Sequence, residues 1–129
     1  MKTEEIEETL RTLYGLRNFI CERQRTALRP LILHGDLAVV NQIRTLSLVI
    51  EYSPHMYGRG YNGMAYLHYY MKGYDAWITE LYRANCMAFG KARIGQGDPE
   101  YGYISIKELV DNNAFVDLYW VPTPIEGIK

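Results

Sequence analysis

The chain has 129 residues, 48% hydrophobic and 22% charged, enough for one compact domain with a core of its own. Lys and Arg number 14 against 15 Asp and Glu, a net charge of −1, so the cationic excess that drives generic nucleic-acid binding is missing. Two widely separated cysteines argue against a disulfide framework or zinc knuckle, and no run approaches the roughly 18 apolar residues of a membrane span.

The opening MKTEEIEETL is acidic and lacks the apolar stretch of a signal peptide, so a reducing cytoplasmic setting is expected. Thr3 is placed to cap a first helix, with Glu4 and Glu5 against the positive end of its dipole. Ile6, Leu10, Leu13 and Leu16 recur at the spacing of one helical face, and Pro30 is expected to end the segment by pushing Arg29 out of the helical region. Gly35 and Asp36 supply a turn and an N-cap for a second helix, whose buried face is Val39, Ile43, Leu46 and Ile50, with Pro54 marking its end.

Composition changes near residue 52: eleven of the twelve tyrosines and both tryptophans lie from Tyr52 onward. A glycine- and tyrosine-rich loop, PHMYGRGYNG, precedes two aromatic runs, MAYLHYYM (64–71) and YDAWITELY (74–82). Lys72 and Gly73 between them predict a tight hairpin in which 71 pairs with 74. That register puts Tyr66/Thr79, His68/Trp77 and Tyr70/Asp75 on a polar-tipped aromatic face, and Leu67/Ile78 and Tyr69/Ala76 on a core face. CMAFGKARI (86–94) predicts a third strand and Tyr101–Ile104 a fourth. Ser105 and Glu108 form a capping box, with Ile104 and Leu109 at the positions of a hydrophobic staple, opening a short helix that ends near Asn112 and Asn113. FVDLYWV (115–121) predicts a last strand, after which the prolines of PTP stop pairing. The fold expected is α+β: N-terminal amphipathic helices on a mostly antiparallel sheet of four to five strands, with one short helix before the last strand. It forms a single domain over 1–129, with a helical half (1–53) and a sheet half (64–121).

The glycines of RIGQGDPEYG invite comparison with a phosphate cradle, but a strand follows them instead of a helix, and Asp98 and Glu100 would repel phosphate. A hairpin connection needing positive φ at glycine is the better reading. His68 beside Asp75 or Glu80 has the makings of an acid–base pair, set against an ordinary strand histidine packed on an aromatic. His34 and His55 stand alone, and Cys86, in an apolar strand without an evident base, fits a buried structural cysteine. No cofactor or metal motif emerges. Arg11, Arg17, Arg23, Arg25 and Arg29 concentrate positive charge, either as a binding face or as complement to the helix's own dipole. Lys91, Arg93 and Lys107 among tyrosines form a thinner cluster suited to a single nucleic-acid strand, opposed by the acids at 98 and 100.

From about Ala65 to Pro122 the chain resembles a family of small plasmid-, phage- and integrated-element-borne proteins, domain of unknown function 2958. The residues that carry the resemblance lie in AWITEL, AFGKARIGQGDPEYGYISIKEL and VDLYW, notably Trp77, Thr79, Glu80, Phe89, Gly90, Pro99, Glu100, Gly102, Tyr103, Ser105, Glu108, Asp117 and Leu118. KARIG departs from the more acidic strand of that family. The resemblance implies no reaction; it implies an accessory gene of a mobile element in a bacterial host. The function expected is therefore a non-enzymatic counter-defence inhibitor that binds a CRISPR effector or a restriction enzyme. Its candidate contacts are Arg17, Arg25, Tyr57, Arg59, Tyr61, Tyr66, Tyr70, Trp77, Asp98 and Glu100. The alternatives are a protein that sequesters a small ligand or nucleotide between aromatic rings, and a nucleic-acid-binding regulator whose affinity falls with salt.

Overall fold

The computed structural model describes residues 1–53 and 63–128. Three helices, α1 (Thr3–Gly15), α2 (Glu22–Leu33) and α3 (Leu37–Tyr52), form one layer. Behind it lies an antiparallel five-stranded sheet of β2 (Leu67–Met71), β3 (Tyr74–Tyr82), β4 (Met87–Ile94), β5 (Glu100–Ser105) and β6 (Phe115–Val116), in the order β5-β4-β3-β2-β6. The short helix α4 (Ile106–Asp111) stands between β5 and β6. A separate two-stranded piece joins β1 (Met64–Ala65) to β7 (Thr123–Pro124). This is the α+β architecture expected. Among the described residues no helix is long and apolar enough to cross a membrane.

The N-terminal segment is two helices where one was expected. Gly15 ends α1, the chain turns through Leu16–Ile20, and Cys21 caps α2 by accepting from the Gln24 N–H. Phe19 and Ile20 are drawn into the core at this turn, which the Tyr69 hydroxyl pins by donating to the Phe19 carbonyl at 2.6 Å. Thr3 is the first helical residue, preceded by Lys2 with no side-chain cap. Pro30 does not stop α2: it lies in the last turn, where the chain needs only three more helical residues, and α2 ends at Leu33. α3 follows its sequence pattern, with the Asp36 carboxylate accepting from the Val39 N–H and Val39, Ile43, Leu46 and Ile50 buried. Pro54 lies outside the described residues.

The β2–β3 hairpin has the expected register, Met71 opposite Tyr74 through Leu67 opposite Ile78, with Gly73 at φ 76° in its turn. Leu67, Tyr69, Ala76 and Ile78 face the helices and are buried. The expected Tyr66/Thr79 pair does not form, because β3 bulges between Ile78 and Glu80 and Tyr66 gives its N–H to the Ile78 carbonyl. The bulge also shifts the alternation, so that Leu81 faces the helices. Cys86 precedes β4, half-exposed in a turn at φ 55°, and is not a buried strand residue. The Arg83 guanidinium closes the other end of α3 by donating to the Ile50 carbonyl at 2.8 Å, a cation at a helix C-terminus.

The glycines at 95 and 97 connect β4 to β5 as a hairpin loop, with Gly95 at φ 61° and the Gly97 N–H on the Ile94 carbonyl. Ser105 caps α4 through the Glu108 N–H, and Ile104 and Leu109 are both buried. The last expected strand stops early: β6 covers only Phe115 and Val116, because Asp117 folds the chain into a turn by accepting from the Tyr119 N–H at 2.9 Å. Nor does PTP end pairing, since Thr123 and Pro124 pair with Ala65 and Met64.

Full burial pushes the Tyr69 phenol well above its ordinary value of 10.0. Unfolding releases that phenol to ionise near pH 10, so its stabilising contribution is complete below that pH and is lost as pH rises above it. Denaturant midpoints are expected to decline above about pH 10 in the wild type, by up to about 1.4 kcal/mol per pH unit from this group. In Tyr69→Phe the decline should be shallower, from a starting point about 1 kcal/mol lower for the lost hydrogen bond.

Candidate functional site

The sheet face turned away from the helices divides into three zones. Its centre is built around His68 on β2. Its Nε2 lies 2.8 Å from Asp75 Oδ1 on β3, and its Nδ1 lies 3.2 Å from Asp117 Oδ2 in the turn after β6. Carboxylates only accept, so both contacts are hydrogen bonds when each ring nitrogen carries a proton. The imidazole stacks on Trp77 at 5.4 Å with 7° between planes, and Trp120 tilts over it at 5.1 Å. The Arg93 guanidinium sits 5.1 Å from the Trp77 ring centroid and 3.5 Å from Asp75 Oδ2.

This centre is roofed by the C-terminal segment. The Trp120 indole N–H donates to the Ala65 carbonyl at 3.0 Å, and Lys91 Nζ donates to the carbonyls of Ile125 and Ile128. Ala65, Trp77 and Ile125 are buried as a second small core, with Trp120 and Ile128 against it. Both imidazole nitrogens are thus taken by carboxylates. The cluster fastens residues 117–128 across the sheet and aims no base at an open space. Glu80, the other acid considered for His68, accepts instead from the Tyr82 hydroxyl at 3.3 Å. Among the described residues no three His, Cys or carboxylate groups are arranged as metal ligands.

On the β2–β6 side lies Tyr70, with its ring 6.3 Å from Phe115. On the β4–β5 side the roof ends and the face opens into a tyrosine strip. Phe89 packs edge-on against Tyr103 at 5.4 Å and stacks on Tyr101 at 6.3 Å. Tyr101 is 52% exposed and Tyr103 65%, although both alternate with residues that face the core side. Lys91 Nζ lies 5.1 Å above the Tyr101 ring, and exposed Asp98 lies in the loop before β5, whereas Glu100 alternates to the helix side. Beside Tyr103 an open cleft of about 690 Å³ is bordered by Leu81, Tyr82, Asn85 and Met87.

The predicted contact residues separate into groups. Arg17 and Arg25 belong to the helical layer. Arg17 lies over the Tyr14 ring at 4.4 Å, and Arg25 Nε donates to the Ile20 carbonyl at 3.0 Å, so both brace the α1–α2 turn. Tyr57, Arg59 and Tyr61 lie outside the described residues. Tyr66 borders clefts against α3 with Val49. Trp77 is buried beneath His68, whereas Tyr70, Asp98 and Glu100 are exposed. Sequence reasoning missed Tyr101, Tyr103 and Phe89 as a surface, although the period-2 alternation of 101 and 103 was there to read. It also missed Asp117 and Trp120, for which no local signal exists: His68 and Asp117 stand 49 residues apart. No family model, curated protein or solved structure matches the chain, so the family resemblance rests on the motif residues quoted above.

Proposed function

We propose that this protein is a non-enzymatic accessory protein of a mobile element that binds and blocks a nuclease-type bacterial defence component, a CRISPR effector or restriction enzyme. The observation that carries this reading is the strip of half-buried Phe89 with exposed Tyr101 and Tyr103, preceded by exposed Asp98 in the loop before β5. Tyrosines supply large, rigid contact area and are enriched among the residues that dominate interface energies. The groove of a nuclease is basic because it must neutralise phosphates, so an acid such as Asp98 near tyrosines suits such a surface. The mobile-element setting comes from the motif resemblance. A nucleotide-sequestering role draws less support, because Trp77, its expected stacking platform, is covered by His68 and Trp120.

In bacteria carrying a nuclease-based defence, expression of the wild type is expected to restore phage plaquing against at least one such system. The double substitution Tyr101→Ala, Tyr103→Ala should weaken partner binding by about 100-fold, corresponding to two anchors at about 1–2 kcal/mol each, and abolish protection. Arg17→Ala with Arg25→Ala should leave protection intact. Equal protection by the tyrosine variant, or none against any nuclease-based system, would reject the reading.

A further inference from the structure

A groove of about 580 Å³ lies at the β6 side of the sheet, across the fold from the tyrosine strip. Its wall is aromatic. Exposed Tyr70 and half-buried Phe115 stand opposite each other in the β2–β6 pairing, with ring centroids 6.3 Å apart and planes at 63°. Its rim is cationic, with Arg23 from the first turn of α2 and Lys72 from the β2–β3 turn. Asn112 and Asn113 border it from the turn after α4. The Asn112 Nδ2 is taken by the Glu108 carbonyl, whereas the Asn113 amide, on a residue at φ 64°, has no side-chain partner among the described residues.

The two cations are not neutralised from within the fold. Among the described residues no carboxylate lies within ion-pair distance of Arg23 or Lys72. The acids adjacent in register or sequence are engaged elsewhere: Asp75 with His68 and Arg93, Asp117 with His68, and Asp111 with Lys107. Glu22 precedes Arg23, but it occupies the first turn of α2, where the positive end of the dipole favours an acid. Arg23 breaks that same rule, since its charge opposes the dipole. An anion held in the groove resolves the conflict, and local rules are broken most often where a ligand compensates.

We propose that this groove binds a free nucleotide, its base stacked on Tyr70 and its phosphate held between Arg23 and Lys72. The phosphate supplies the charge that the two cations lack, and an arginine fork matches its oxygens. The exposed Tyr70 ring offers a face for the base. The Asn113 amide presents a donor beside an acceptor, the pattern that pairs with an adenine edge. A nucleic-acid strand draws its affinity from many phosphate contacts, and among the described residues only these two cations border the groove. The site is separate from the defence partner proposed above: Tyr70 and Phe115 belong to β2 and β6, the tyrosine strip to β4 and β5, and either proposal can fail without the other.

AMP is the probe. Titration of the full chain, followed by amide shifts in proton–nitrogen NMR spectra, should saturate with a dissociation constant of about 10–500 μM. The shifts should concentrate at Tyr70, Lys72, Asn113 and Phe115. Adenosine and inorganic phosphate should each bind at least about tenfold more weakly than AMP, because each fills half of the site. Arg23→Gln with Lys72→Gln should stay folded and weaken AMP by about tenfold or more. Tyr70→Leu keeps an apolar contact for Phe115 and should weaken AMP by about fivefold or more. Arg29→Gln, on the same helix but outside the groove, should bind AMP as the wild type does. No saturable shift with AMP up to about 5 mM overturns the proposal. So do shifts confined to another part of the surface, or a folded double variant that binds AMP as well as the wild type. A single strand of about ten nucleotides that binds this groove more than about tenfold tighter than AMP would assign it to nucleic acid and overturn the proposal as well.

Discussion

Alanine at Gly90 is expected to destabilise the protein by about 3 kcal/mol or more, lowering its melting temperature by roughly 10 °C. A Cβ on Gly90 would lie 1.9 Å from the Trp77 carbonyl oxygen and 2.9 Å from its carbon, and both atoms are backbone of the neighbouring strand. Gly90 pairs with Ile78 at the point where β3 bulges. The bulge leaves Thr79 as the extra residue, and its hydroxyl donates to the Phe89 carbonyl at 3.1 Å. No rotamer change relieves such a contact. Either β3 and β4 separate or the bulge is lost, and losing it turns Leu81 out of the core. Gly102→Ala is the control: its Cβ would meet nothing within 4 Å, and its effect should stay within about 0.5 kcal/mol. Melting curves of the two variants that coincide would contradict the bulge geometry.

The second large effect is expected at Gln24, which is 5% exposed. Gln24→Leu keeps the bulk and removes both polar atoms, leaving the Val116 N–H and C=O buried beneath α2 without partners. Each such group costs about 1–3 kcal/mol, so the variant should lose about 2–6 kcal/mol in denaturant unfolding. Gln24→Glu keeps an acceptor for the N–H but sets a carboxylate against the carbonyl, and should be no better. Glutamine is the side chain that presents one donor and one acceptor at the reach α2 requires. Wild-type stability in Gln24→Leu would show that β6 is held by its pairing with β2 alone.

Much of the fold was legible because its signals are local. The Asp36 cap with the Val39, Ile43, Leu46 and Ile50 stripe located α3, the Lys72–Gly73 turn set the hairpin register, and Ser105 with its staple located α4. What failed depends on contacts distant in sequence. The α1–α2 break follows from Phe19 and Ile20 turning into a core that Tyr69 completes from the sheet. FVDLYWV has the composition of a strand, but Asp117 is claimed by a turn and by His68. The candidate site was half visible for the same reason. Alternation put His68, Tyr70 and Trp77 on one outer face, and they share it. That Trp77 would be roofed, and that the open aromatics would be Tyr101 and Tyr103, depends on where residues 117–128 lie, and no spacing in the sequence reports that. Asp117 and Gln24 illustrate the limit: each is a polar residue whose role is set by a partner 49 or 92 positions away.

The tyrosine strip is proposed to bind and block a defence nuclease, which DNA cleavage by purified CRISPR effectors and restriction enzymes titrated with this protein tests most directly. Cleavage by at least one of them should fall to background near one equivalent of the wild type and stay unaffected by the Tyr101→Ala, Tyr103→Ala variant at the same concentration. Cleavage that continues undiminished at a large excess of the wild type across such enzymes, or that the double variant blocks equally well, would contradict it.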